Sequence, residues 1–257
     1  MVDSNKLIKL FLGIEGNEIG DVVLLTCFDC FREMKRIYYE NRIEEFHGIY
    51  AGITIFLKEI KLTVIYVGGG ASKIGDAVLS FADNKKNKCI IYIGAAGGID
   101  RKISLGQYII PYSALSAEGF TMLHFYKSTF TPFQAITHAD RKIVNSFRSF
   151  IESIDKYKDI CLFGRIVTID SIFIEDDNFF QDKRIDGCNA VDMETSAFYS
   201  ACKLKQVPCM AFHFISDLPY QNFGDINKKM IYLKSYIMQL KIITRFIDYS
   251  FDHEEKI

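Results

Sequence analysis

This chain has no excess of charge of either sign. Its 31 basic and 32 acidic residues leave a formal net charge of −1. It therefore carries no electrostatic footprint for nucleic acid or a membrane surface, and a small-molecule partner is the default expectation. It has no uninterrupted apolar run of membrane-spanning length. Its first residues, Met1 to Lys6, are polar and lack the apolar core of a signal peptide. Its seven cysteines are scattered and odd in number, which points to reduced thiols in a cytoplasmic compartment, not a disulfide framework. Cys27 and Cys30 have the spacing of a redox or metal pair, but no second Cys or His pair stands at ligand spacing, so no metal is expected. There is no internal repeat, no low-complexity block and no Pro/Gly/Ser linker. The 257 residues, 49% of them hydrophobic, are read as one domain with its core over about residues 10–250.

What is present is a succession of short apolar runs that end in small or turn residues. Asp21–Leu25, Leu62–Val67, Cys89–Ile93, Tyr108–Pro111, Arg165–Ile169 and Pro208–Ile215 alternate poorly between apolar and polar, as strands covered on both faces do. Helical patterns lie between or after them, over Ala71–Ala82, Arg141–Ile154, Ala190–Lys203 and Asn227–Tyr249, and the tail Asp252–Lys256 reads as solvated. The fold class is α/β, with a mixed central sheet flanked by helices. Open α/β sheets bind ligands at the carboxyl ends of their strands, and Gly68, Gly94 and Asp217 all fall at such ends.

Two glycine clusters follow strands. Gly68-Gly69-Gly70 opens a helix, so its amides either approach an anion or merely turn the chain. In Gly94-Ala95-Ala96-Gly97, small residues either let a flat base or ribose lie against the backbone or let strands pack closely. Glu194 stands in a largely apolar segment, where a carboxylate needs a defined partner. Asp217 ends an apolar run, and with Ser216 it either caps the next helix or turn or faces a ligand. A helix carboxylate and a strand-end carboxylate across one crevice suit chemistry at a glycosidic carbon, one holding sugar hydroxyls and the other handling a proton. His124 and His213 read as packed or hydrogen-bonded, and Glu175-Asp176-Asp177 as a solvated loop.

The ordered motifs resemble those of the nucleoside phosphorylases of the purine nucleoside and uridine phosphorylase type, over roughly Leu10 to Phe223. They are Leu10-Phe11-Leu12-Gly13-Ile14, Phe28-Asp29-Cys30-Phe31-Arg32, Ile91-Tyr92-Ile93-Gly94-Ala95-Ala96-Gly97, Glu118-Gly119, Val191-Asp192-Met193-Glu194 and Ile215-Ser216-Asp217. The resemblance implies cleavage of a purine nucleoside, by default with phosphate as co-substrate and no other cofactor. It implies that Glu194 binds the ribose hydroxyls, with Met193 packed on the sugar. Asp217 serves purine N7 as a proton donor, which burial favours, and Phe173 stacks on the base. Gly94, Ala95 and Gly97 line the substrate, and Arg32 and Gly70 hold phosphate. A homo-oligomer is implied, with sites near subunit interfaces, to which Phe11 and the Arg42 region contribute.

The departures bear on the acceptor. Phe11 replaces the family's opening histidine, which hints at tolerance of a less polar 5′ group. Tyr92 replaces an arginine, Ala95 a serine or threonine, and a further family arginine falls near Glu44-Glu45. With charge-assisted bonds worth about 1.5–3 kcal/mol each, losing two arginines weakens phosphate binding on the order of a thousandfold. Hydrolysis, with Asp29 as candidate base, and nucleoside binding with little turnover are the alternatives.

Overall fold

The computed structural model describes residues 4–82, 88–126, 133, 135–219 and 227–252. Most of the expected solvated tail and the far end of the resemblance, at Phe223, lie outside these residues. Among the described residues ten strands form the sheet: β1 (Val22–Thr26), β2 (Arg42–His47), β3 (Ala51–Phe56), β4 (Lys61–Tyr66), β5 (Cys89–Gly98), β6 (Tyr108–Ala117), β7 (Ala135–His138), β8 (Cys161–Ile169), β9 (Ala190–Asp192) and β10 (Cys209–Asp217). The helices are α1 (Ser4–Leu12), α2 (Phe31–Ile37), α3 (Ala71–Phe81), α4 (Gly119–Tyr126), α5 (Arg141–Glu152), α6 (Asp155–Lys158), α7 (Asp177–Phe180), α8 (Thr195–Lys205) and α9 (Asn227–Asp252). The fold is the expected α/β class with a mixed sheet.

The sheet runs β10-β6-β8-β9-β5-β1-β4-β3-β2, and β10 also pairs with β5. Strands β5, β10, β6, β8 and β9 therefore close on themselves, while β1, β4, β3 and β2 extend outward from β5. Strand β5 lies parallel to β1 and β10, and β4 lies parallel to β1, so their carboxyl ends open on one side. These strands are mostly apolar because both faces are covered: β1 and the interior of β4 are buried at every position. One face packs α1, α3 and α8 around Ile74, Phe81, Phe198 and Tyr199. The other packs α2, α5 and α9 around Met34, Phe147, Phe212 and Phe246. Gln239 of α9 ties that helix to the sheet, its amide donating to the carbonyls of Gly94 and Phe212 at 2.9 and 2.7 Å.

One expected helix is divided. The pattern over Ala190–Lys203 begins as strand, because Val191 is captured on one side by Gly97 of β5 and on the other by Val167 of β8. Ladder pairing and burial outweigh helix propensity there. Glu194 then falls at the N-cap of α8 instead of inside a helix. Among the described residues no helix is long and apolar enough to cross a membrane.

Candidate active site

The carboxyl ends of β1, β5 and β10, with the β9–α8 junction, surround a cavity of about 330 Å³. Its lining includes Cys27, Phe28, Gly69, Ala95, Gly97, Ile172, Glu175, Met193, Glu194 and Asp217. That volume suits a nucleoside-sized ligand. A larger groove, about 880 Å³, lies at the opposite edge of the sheet beside Tyr38, Lys58 and Asp248. It sits at the amino ends of the strands, where no expected site residue falls, so the smaller cavity is the functional candidate.

Register brings the two key carboxylates together. Gly97 pairs with Asp217 on one side and with Val191 on the other. The ladder between β10 and β5 slips at Ser216, which is left without a partner between Ile215 and Asp217. Side chains in a regular strand share a face with the residue two positions on, so Asp217 would point into the core with Ile215. The bulge re-aims it toward the cavity. The Ser216 hydroxyl donates to Asp217 Oδ1 at 2.6 Å and holds the carboxylate in that orientation.

Gly97 has to be small. A Cβ built there would lie 2.9 Å from Pro219 Cγ, 3.1 Å from Val191 Cγ1 and 3.2 Å from Asp217 Oδ2. Gly97→Ala is expected to displace Asp217 and, since a shift on the order of 1 Å costs up to about 10²-fold, to lower turnover by roughly that factor. Its melting temperature should change little. Steady-state kinetics beside a melting curve decide this; wild-type turnover in the variant removes the importance of this close approach.

Glu194 is almost completely buried and satisfied by backbone. The Gly70 amide donates to its Oε1 at 2.6 Å and the Met193 amide to its Oε2 at 3.2 Å. Gly68 and Gly70 have φ of +74° and +107°, a region that disfavours side chains, and this turns the loop so that the start of α3 faces the carboxylate. The glycine loop does receive an anion, but that anion is Glu194 of the same chain. The Gly70 amide, expected on phosphate, is thereby committed. Burial pushes the Glu194 pKa up, and the two amide bonds oppose the rise.

Behind Glu194 lies a polar network that the motifs do not announce. Thr168 donates to Asp192 Oδ1 at 2.7 Å, and the Thr195 amide donates to Asp192 Oδ2 at 2.9 Å, joined there by the Thr195 hydroxyl. Burial first, then the charge of Glu194, raises the pKa of Asp192. His213 Nε2 lies 2.8 Å from the Thr195 hydroxyl. Burial lowers the His213 pKa to about 3, so the ring is neutral and structural, as expected. Glu118 is also fully buried, accepting from Ser196 at 2.6 Å, and does not line the cavity.

The remaining expected residues divide. Ala95, Gly97, Met193, Glu194 and Asp217 line the cavity together. Gly94 is one layer beneath it, where a Cβ would lie 2.9 Å from His213 Nδ1. Phe173 is 91% exposed; the 3-10 turn Ile172–Ile174 presents Ile172 to the cavity instead. The aromatic wall is Phe28, packed edge-on against Tyr232 and Tyr236. Arg32 is exposed on α2 and Asp29 is exposed in the turn before it, and neither lines the cavity. Phe11 stacks on Tyr50, and Arg42 pairs with Glu44 on the outer strand β2.

Glu175 is the site residue that sequence pattern conceals. It belongs to an acidic run expected to be solvated, yet it lines the cavity, and burial followed by the charge of Asp217 pushes its pKa up to about 7. Its neighbour Asp176 keeps the loop role, capping α7 through Phe179. The three acids are adjacent in sequence, but Glu175 closes the 3-10 turn Ile172–Ile174, Asp176 caps α7 and Asp177 begins it. Among the described residues no group of three or more His, Cys, Asp or Glu side chains is placed to hold a metal ion.

Known proteins show the same architecture. A uridine phosphorylase from Vibrio fischeri ES114 superposes with a TM-score of 0.76 at 18% identity, covering 92% of this chain and 94% of its own, a likeness of fold. A DeoD-type purine nucleoside phosphorylase of Exiguobacterium sp. is 24% identical over 217 residues, 81% of this chain and 86% of that protein. A 5′-methylthioadenosine/S-adenosylhomocysteine nucleosidase of Buchnera aphidicola is 26% identical over 214 residues, 80% of this chain and 86% of that protein. The family model described as the Phosphorylase superfamily matches residues 17–230, most of the chain. With its mixed sheet, its Met-Glu junction and its strand-end Ser-Asp in place, the chain belongs to the phosphorylase superfamily, whose members cleave the glycosidic bonds of nucleosides.

Proposed function

We propose that this chain cleaves the N-glycosidic bond of a purine nucleoside, and that the acceptor is water. The observation that carries the first part is that Glu194 and Asp217 line one cavity, with Gly97 paired to Asp217 on one side and to Val191, three residues before Glu194, on the other. Breaking the bond drives electrons into the base and leaves positive charge on the sugar. Glu194, anionic and next to Met193, stabilises that charge and holds the ribose hydroxyls; Asp217 serves N7 of the departing purine. The names of two relatives, a purine nucleoside phosphorylase and a nucleosidase of adenosine derivatives, support a purine over a pyrimidine.

Water is favoured by the charge of the lining. Among the described lining residues four are Glu or Asp, and none is Lys, Arg or His. A phosphate dianion at about 4 Å from one carboxylate meets a repulsion of roughly 4 kcal/mol per unit charge at an effective dielectric of about 20. Phosphorolysis, the expectation from sequence, rests on Arg32 and Gly70, and neither is presented to the cavity. Water needs no cation, and the sugar cation is reactive enough to capture it.

The test is release of free base from inosine or adenosine with and without phosphate, with uridine alongside. The expected result is the same rate in both buffers, with free ribose as the other product. An absolute need for phosphate overturns the acceptor and restores phosphorolysis. Nucleoside binding without product makes the chain a binding relative instead of an enzyme.

A further inference from the structure

The base end of the cavity holds two carboxyls where one is expected. Asp217 enters from the β10 bulge, with Oδ1 held by Ser216 and Oδ2 over Gly97. Glu175 enters from the segment just after the 3-10 turn Ile172–Ile174. Two carboxylates facing one small cavity do not both ionise readily, because desolvation and mutual repulsion favour keeping one proton between them.

Resting on the proposed function, we propose that Glu175 is the second catalytic carboxyl of this site: it stands beside Asp217 at the base end of the cavity and supplies the proton that passes to purine N7 as the bond to the sugar breaks. The C1′–N9 pair of electrons moves into the base, N7 takes the Glu175 proton, water adds its oxygen to C1′, and the proton water loses returns Glu175 to its starting state. The position of Glu175 on the titration scale agrees, since burial and the Asp217 charge push it up to about 7. Three other titratable groups line the cavity, Cys27, Asp192 and Glu194. The Cys27 thiol is pushed up to about 12, chiefly by burial, and stays neutral. Asp192 faces Thr168 and Thr195 and is itself pushed up to about 7, by burial first and then by the charge of Glu194. A limb from Asp192 would therefore appear with every substrate, whereas one from Glu175 depends on whether N7 needs a proton. Glu194 is held by the amides of Gly70 and Met193. Asp176, next along the chain, is occupied at the start of α7.

The active form carries the proton, so turnover of inosine falls as pH rises through about 7. Glu175→Gln cannot pass a proton on, and general-acid help of this kind is worth about 10²–10⁴-fold. The discriminating substrate is 7-methylinosine, whose base already carries the positive charge that protonation would supply. In the Glu175→Gln protein, inosine turnover should fall by about 10²-fold and lose its limb near neutral pH, while 7-methylinosine is cleaved nearly as by the wild type. Equal losses on both substrates, or no loss on inosine, overturn the assignment. If the glutamine variant does not fold, Glu175→Asp serves: it should spare 7-methylinosine and impair inosine, and equal treatment of the two counts against the proposal. Failure of wild-type protein to release base from any purine nucleoside removes the functional reading itself, an outcome distinct from either of these.

Discussion

Glu194→Gln is expected to lower kcat/KM for inosine by about 10³-fold while leaving the melting temperature unchanged or slightly raised. The opposite signs come from the surroundings of the side chain. The carboxylate is buried, and burial penalises its charge, which the amides of Gly70 and Met193 only partly offset. A neutral isostere removes that penalty, so the fold gains what the site loses. The loss in rate has two sources. An anion beside the sugar stabilises positive charge that exists only as the bond breaks, which acts on kcat. The amide also presents a donor where the carboxylate accepted, facing either the Gly70 amide or the Met193 amide, and each charge-assisted bond lost is worth about 1.5–3 kcal/mol. A residue kept only to satisfy the Gly70 and Met193 amides would behave the other way, losing stability and sparing turnover. Kinetics with inosine and thermal melts of the same preparation separate the two; activity within tenfold of wild type would take Glu194 off the sugar.

Much of this site is legible in the sequence because motif and element coincide. The apolar run before Asp217 places it at a strand end, and the β10–β5 register puts it there. The motif alone places Met193 and Glu194 on the cavity, although the secondary structure around them differs from the local pattern. That pattern favours a helix over Ala190–Lys203, and only the partners on β5 and β8 make its first residues a strand. The errors at the rim have a common cause. Phe173 and Ile172 are adjacent, and a single-residue rotation in a 3-10 turn decides which one faces the ligand. Asp176 and Asp177 hide Glu175, because three acids in a row look alike until one closes a 3-10 turn against the cavity and the next caps a helix. Gly70 shows a different limit. The glycine loop reads either as an anion receptor or as a plain turn, and sequence cannot show that its Gly70 amide meets a carboxylate from 124 residues further along the same chain.

Asp217→Asn should reduce inosine cleavage by about 10²–10⁴-fold, the usual worth of a positioned acid or base. The asparagine keeps the shape that Ser216 and Gly97 fit, so the bulge and the fold should persist. It can donate a hydrogen bond to N7, but it cannot surrender a proton, so binding survives better than turnover and the change is carried by kcat. The comparison with uridine gives the residue its purine meaning. Uridine has no N7, so a variant that impairs inosine selectively ties Asp217 to the imidazole ring. If the wild type prefers uridine and Asp217→Asn leaves that activity intact, the cavity serves a pyrimidine and Asp217 is only a bulge residue. With Glu175 in place, the asparagine variant should still cleave inosine faster at low pH than at high, since the remaining carboxyl keeps its proton only there. A loss in the double variant Glu175→Gln, Asp217→Asn no larger than that of the worse single variant would show that the two side chains act in one proton transfer, because two independent acids would lose activity additively.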